Sequence, residues 1–125
     1  MRLIVGGAYQ NKLEYAQKTY GPLPVREGAD CPLEAAEPAA LLHGLHHLIR
    51  RMVEEKKPVE QLLRGHIGPD TVVVCDEVGC GVVPMDRLER QWREETGRAC
   101  CRLAEQARTV DRVVCGLPQR IKEEP

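Results

Sequence analysis

The stretch VVVCDEVGCGVVP, residues Val72 to Pro84, decides how the chain is read. Thr71 to Cys75 is an apolar, β-branched run without alternation, which is the signature of a central strand covered on both faces. It stops at two carboxylates, Asp76 and Glu77. A glycine-rich turn follows, with Gly79 and Gly81 flanking Cys80, and Pro84 closes it. Glycines at such a position let backbone approach a neighbour closely. In open α/β sheets, ligands lie at the carboxyl ends of the strands. One reading therefore puts Asp76 and Glu77 at a ligand rim; the other makes this a polar turn that any strand must end in.

Working outward, other segments fit the same architecture. Leu3 to Val5 is a short apolar run ending in Gly6-Gly7, a buried strand running into a turn. Lys12 to Tyr20 reads as a helix with Leu13, Ala16 and Tyr20 on one face, stopped by GPLP at 21–24. Val25 to Cys31 is ambiguous, with a short strand as one reading. Pro38 to Lys56 reads as the clearest helix, since Leu41, Leu42, Leu45, Leu48, Ile49, Met52 and Val53 recur at helical spacing. Pro58 begins a short helical turn through Leu63, and Gly65 to Pro69 is a loop. Asp86 to Gln106 is a long helix rich in Arg and Glu, with Gly97 as a candidate break. Val110 to Cys115 is a last strand, ended by Gly116-Leu117-Pro118. This order predicts one α/β domain over residues 1–125, a small parallel β-sheet with helices on both faces.

Composition bounds the function. With 125 residues, 42% hydrophobic and 30% charged, the chain has the make-up of a globular domain. One Trp, three Tyr and no Phe imply an aliphatic core. A net charge of −1 points to neither a nucleic-acid surface nor an anionic membrane. No apolar run has the length of a membrane span, and the start MRLIVGG is too short for a signal peptide. A cytoplasmic location is therefore expected, with the six cysteines as reduced thiols. The absence of a CxxC pair argues against a zinc site.

The segment Gly6 to Leu13 sits where a phosphate loop would. The pattern G-x-x-x-x-G-K-[ST] between strand and helix uses glycines, a lysine and a hydroxyl to hold phosphates and Mg²⁺. Gly6 and Lys12 fit at the correct spacing, while Asn11 replaces the second glycine and Leu13 the hydroxyl. Asn tolerates the left-handed conformation better than most residues, so the loop can survive its substitution. Leu13 has no oxygen for a metal. Lys12 and a helix N-terminus would still suit a phosphate, although taken alone a plain strand-turn-helix explains the segment as well.

Further downstream, DEVGCGVVPMDRLERQWREETGR (76–98), LAEQA (103–107) and VVCGLPQRIK (113–122) carry a resemblance. Together with Gly6-Gly7-Ala8 and Lys12 they look like the adenosylcobinamide kinase/adenosylcobinamide-phosphate guanylyltransferase family. Glu77, Val78, Gly79, Gly81, Val83, Pro84, Arg87, Arg90, Arg93, Gly97, Arg98, Gly116 and Lys122 match the family pattern in order. The resemblance implies a P-loop NTPase-like (RecA-like) three-layer sandwich, a role in cobalamin biosynthesis, and ATP or GTP with Mg²⁺. It assigns the phosphates to Gly6, Gly7, Ala8, Asn11, Lys12 and Leu13, with Gly79, Gly81, Arg87 and Arg90 also on the nucleotide. Asp76 or Asp30, the latter set against the family's Asp-Cys, would hold the metal. Lys12 and Glu77 would act at the transferred group or its acceptor, a cobinamide hydroxyl. A homo-oligomer, specifically a trimer, is implied too.

The chain also departs from the family. It lacks the stretch between the first helix and Asp30 that carries the guanylylated histidine, which implies that the guanylyltransferase step is lost. With the altered loop, two functions stay open: a cobinamide kinase, or a non-catalytic relative that binds a nucleotide or corrinoid or serves as a partner subunit. A different small phosphotransferase reusing the same rim is a third. Other features have two readings as well. His43, His46 and His47 would share one helix at i, i+3 and i+4, as a metal site or as surface and packing residues. No carboxylate or cysteine is obviously paired with them, which favours the second. The arginines of 87–98 would pair with Glu89 and Glu94 along a solvated face, or capture an anion. Trp92 is expected to pack against the sheet or a neighbouring subunit.

Overall fold

A computed structural model describes residues 1–78 and 86–124. Six strands form one sheet: β1 (Arg2–Gly6), β2 (Val25–Glu27), β3 (Leu41–His43), β4 (Val72–Asp76), β5 (Thr109–Val114) and β6 (Leu117–Glu123). They lie in the order β2-β3-β4-β1-β5-β6. The first five are parallel, and β6 returns antiparallel to β5. Four helices connect them: α1 (Lys12–Tyr20), α2 (Leu45–Glu54), α3 (Val59–His66) and α4 (Arg87–Gln106).

The sheet pleat sorts the core into two layers. Leu3, Leu42, Val73, Cys75 and Val110 point to the face covered by α2, α3 and α4, against Leu45, Leu48, Ile49, Met52 and Leu103. Ile4, Leu41, Val72, Val74 and Val113 point to the other face, where Ala16 and the flanks of α1 pack. Strands buried on both faces must be apolar at consecutive positions, which is why Val72 to Val74 do not alternate. Right-handed crossovers explain the split. The chain leaves β1 in one direction through α1, then travels back from β3 to β4 and on to β5 through helices on the opposite face. The result is the three-layer α/β sandwich that the sequence predicts.

Three expectations are corrected. The helix predicted over Pro38–Lys56 is a strand followed by a shorter helix. Leu41 and Leu42 belong to β3, and Gly44, at φ 76°, turns the chain into α2 at Leu45. Adjacent apolar residues satisfy a buried strand as well as a helix face, so periodicity alone could not separate them. The chain does not end its sheet at Gly116. Cys115 and Gly116, at φ 52° and 77°, form a two-residue turn between paired Val114 and Leu117. Finally, Gly97 does not break α4, which is continuous; nothing lies within 4 Å of where its side chain would be. Val25–Glu27 does form the short strand that was one of two readings.

Several contacts tie the layers down. Lys122 donates to the carbonyls of Ala104 (3.0 Å) and Glu105 (2.8 Å), so β6 caps the last turn of α4. This gives the lysine at the end of the family-like motif a structural task. Asp111, buried in β5, accepts from the Tyr15 hydroxyl (2.8 Å) and pairs with Arg120 of β6. Trp92 packs against the core cluster beneath the sheet and is held by α2: its indole N–H donates to the His46 carbonyl (2.8 Å), and the Arg50 guanidinium stands 4.9 Å over its ring. Among the described residues no helix is long and apolar enough to cross a membrane.

Candidate functional site

Strands β4 and β1 are neighbours, yet the helices that follow them lie on opposite faces, so a crevice opens at their carboxyl ends. A cleft of about 660 Å³ occupies it. The loop after β1, the first turn of α1, the end of β3, the start of α2 and Asp76 line it.

The loop is shaped by two requirements. A side chain on Gly6 would place its Cβ 2.5 Å from the Val113 carbonyl oxygen of β5, so the strand end closes only around glycine. Asn11 stands at φ 63°, ψ 35°, the left-handed conformation expected of it, and ends the loop immediately before α1. No side chain caps this end of α1. The first N–H groups of a helix have no partner within it, and the helix dipole adds positive potential there.

Lys12 is the first residue of α1 and is buried. Its Nζ donates to the Gly7 carbonyl at 2.6 Å and lies 2.7 Å from Asp76 Oδ1. The register of β1 with β4 places Gly6 beside Asp76, which brings this ammonium and carboxylate together. His46 holds the other side of Asp76. Its Nδ1 accepts from the Asp76 N–H at 3.2 Å, so its Nε2 carries the ring proton, 3.4 Å from Asp76 Oδ2. Burial lowers the His46 pKa to about 4 against the opposing pull of Asp76, so the ring is neutral at neutral pH. Behind the site, Cys75 Sγ touches Cys100 Sγ at 3.8 Å.

Chemically, this is a desolvated cation held between a carboxylate and a loop carbonyl beside the N-terminus of a helix, at a cleft lined by both polar and apolar groups. It is suited to an anion such as a phosphate. Mg²⁺ is bound by one or two carboxylates plus phosphate oxygens and water. Among the described residues no group of three metal-ligating side chains converges. Asp76 fits the role of the single protein carboxylate, and Leu13, which lines the cleft, offers no oxygen.

Ala8, Asn11, Lys12, Leu13 and Asp76 all line this cleft, with Gly6 and Gly7 forming the loop beneath. The other predicted residues are placed elsewhere. Asp30 is exposed in the turn after β2 and does not line the cleft. Glu77 binds the Arg112 guanidinium at 2.8 and 3.3 Å, and its backbone N–H donates to the Gly6 carbonyl at 2.8 Å. Arg87 and Arg90 are exposed on the first turn of α4 and do not line the cleft either. Gly79, Cys80 and Gly81 lie outside the described residues. The expected pairing of Glu89 with Arg93 is replaced by a 2.6 Å contact from Arg50 to Glu89.

The histidines are the largest revision. They do not share a helix: His43 ends β3, while His46 and His47 open α2. All three line the cleft, and two of them do have carboxylate partners. His43 Nδ1 meets both oxygens of Glu27, at 2.8 and 2.9 Å, and His46 meets Asp76. Glu27 is the site residue that the sequence reading missed. Its only signal was its place in the ambiguous Val25 to Cys31 segment, where a short strand was one reading and no partner for its carboxylate was indicated.

Comparison with known proteins follows the same geography. The model of the family described as cobinamide kinase / cobinamide phosphate guanyltransferase matches residues 36–121, from before β3 into β6. That match excludes the loop with Lys12 and also Asp30. The bifunctional adenosylcobalamin biosynthesis protein CobP of Pseudomonas aeruginosa is 33% identical over 76 residues, 61% of this chain and 43% of that protein. The bifunctional adenosylcobalamin biosynthesis protein CobU of Salmonella typhimurium is 47% identical over 51 residues, 41% of this chain and 28% of that protein. The matched regions thus span less than half of these curated relatives. With the family model covering more than half of the chain, the resemblance drawn from residues 76–122 holds: the chain belongs to the cobinamide kinase / cobinamide phosphate guanyltransferase family.

Proposed function

We propose that the cleft binds the phosphates of ATP or GTP and that the chain transfers the γ-phosphoryl group to a hydroxyl of cobinamide. The observation that carries this reading is the Lys12 ammonium, seated at the N-terminus of α1 and 2.7 Å from Asp76 on the neighbouring strand. Phosphoryl transfer needs alignment and charge neutralisation more than covalent chemistry, and these groups supply both. Lys12 and the N–H groups of the first turn of α1 hold the phosphates. Asp76 would hold Mg²⁺, which when bound neutralises phosphate charge. Neutral His46 keeps the Asp76 backbone and carboxylate in place. Membership of the family supplies the acceptor class. A homotrimer, implied by the resemblance, is part of the same proposal.

Leu13 favours a second reading. A phosphate loop without its hydroxyl binds the metal less well, and a nucleotide- or corrinoid-binding relative without turnover would tolerate that. Calorimetric titration with ATP and GTP, with and without Mg²⁺, tests both. Binding that weakens at least about tenfold in Lys12→Ala supports the phosphate site, since removing a buried charge partner typically costs more than about 1.4 kcal/mol. Phosphorylated cobinamide then separates the kinase from the binder. No heat with either nucleotide would refute the phosphate site itself.

A further inference from the structure

We infer that Glu27 and His43 form the general-base pair of this site, with His43 Nε2 taking the proton of the acceptor hydroxyl. The inference rests on the phosphoryl-transfer reading above and adds the group that activates the acceptor.

The pair is built by the sheet. In the β2–β3 register Glu27 stands beside His43. The strand ends are drawn together by the Gly28 N–H donating to the His43 carbonyl at 2.8 Å. A Cβ on Gly28 would lie 2.2 Å from the Gly44 carbonyl oxygen, so this approach needs glycine. An ionised carboxylate can only accept, and both Glu27 oxygens face His43 Nδ1. Nδ1 therefore carries the proton. In the neutral ring the lone pair is then on Nε2, the nitrogen away from Glu27. A carboxylate fixing the tautomer and orientation of a catalytic imidazole is the recurrent means of presenting such a lone pair.

No other basic group of the cleft pairs a free ring nitrogen with an orienting carboxylate among the described residues, and Glu14, which also lines it, is paired with Lys18 at 2.9 Å. Asp76 is engaged by Lys12 and His46. His46 uses its Nδ1 lone pair on the Asp76 N–H. His47 stacks against His46, ring centroids 4.1 Å apart, and has no carboxylate contact among the described residues. His43, about one-third exposed, keeps access to the cleft.

The step balances simply. The acceptor oxygen forms its bond to the γ-phosphorus as the bond from that phosphorus to the bridging oxygen breaks. The acceptor proton moves to His43 Nε2, and the nucleoside diphosphate leaves with the electron pair of the broken bond. The imidazolium, stabilised by Glu27, then releases its proton to water.

Two measurements test this on the whole chain. Nitrogen NMR of ¹⁵N-histidine-labelled protein reads the tautomer without any substrate. The Nδ1–H form is expected at His43, and its preference should relax in Glu27→Gln. Kinetics with ATP or GTP and cobinamide form the second. His43→Gln should lower kcat by about 10²- to 10⁴-fold, the usual contribution of a general base, with nucleotide Kd and acceptor KM nearly unchanged. Glu27→Gln, a positioning change, should give a smaller loss in kcat. An Nε2–H tautomer at His43, a kcat within about threefold in His43→Gln, or an acid-labile mass gain on His43 after incubation with nucleotide would each overturn the assignment. Nucleotide binding with transfer to neither cobinamide nor water would overturn it too, while leaving the phosphate site intact. Absence of nucleotide binding would instead remove the function proposed above.

Discussion

His46 makes the stability of this fold depend on pH in a predictable direction. Its ring is buried between α2 and β4, and burial lowers its pKa from 6.5 to about 4. In the unfolded chain the same ring titrates at its ordinary value. As pH falls through 6.5, the unfolded state takes up a proton that the folded state refuses until about pH 4. Stability contributed by neutral His46 is therefore complete above 6.5 and is lost progressively between the two values. Applying the linkage relation between pH 7 and pH 5 gives a loss of about 2 kcal/mol as an upper figure. Solvent at the mouth of the cleft screens the ring, which brings the expected loss to about 1 kcal/mol. For a chain of this length that equals about 4 °C in Tm. The assay is urea unfolding of wild type and His46→Gln at the two pH values, without nucleotide or divalent cation. His66, whose pKa burial also lowers, is present in both proteins and cancels. Wild type should lose about 1 to 2 kcal/mol more than the variant. An equal loss in the two proteins, or a folded-state His46 pKa at 6.5 or above by NMR, would refute the reasoning.

Two further perturbations test the frame around the site. Gly6→Ala puts a Cβ 2.5 Å from the Val113 carbonyl and should destabilise the fold by about 1–3 kcal/mol, read as a lower urea midpoint; an unchanged midpoint would mean that β1 and β5 separate easily there. Lys122→Met removes the donor to the last carbonyls of α4 and should cost about 0.5–1 kcal/mol, with faster amide exchange confined to the C-terminal turn of that helix.

What could be read from sequence follows from how local each signal is. Val72 to Cys75 announced a central strand because burial on both faces demands consecutive apolar residues. Asn11 was recognised as a left-handed loop residue from its chemistry alone, and the structure places it there. Lys12 and Asp76 were both singled out, yet their contact depends on β1 lying beside β4, a pairing between residues about sixty apart in the chain. The histidines failed for a related reason. Leu41-Leu42 fits strand and helix equally, so the break at Gly44 was invisible and the three rings were assigned to one helix. Their carboxylate partners, Glu27 and Asp76, come from other strands, and no spacing rule along the chain reports on such a meeting. The Cys115-Gly116 turn was legible in principle, since two residues at positive φ between apolar runs mark a tight hairpin, but cysteine is an unusual occupant of the first position.

The strand that this turn adds changes what the sheet presents to other molecules. Without β6, the outer edge would be β5, which carries the buried Val110, Asp111 and Val113. With it, the outermost strand is a ribbon of seven mostly exposed residues, bent by an irregularity between Val110 and Asp111. Leu117 and Ile121 on it are apolar and exposed, a combination that invites edge-to-edge association of chains. Three features oppose that. Pro118 removes one backbone donor, Arg120, Lys122 and Glu123 bring charge to the same strand, and the bend spoils the flat template that a second strand would need. The hairpin thus gives this edge of the sheet a self-protecting border, while the parallel strand β2 forms the other edge.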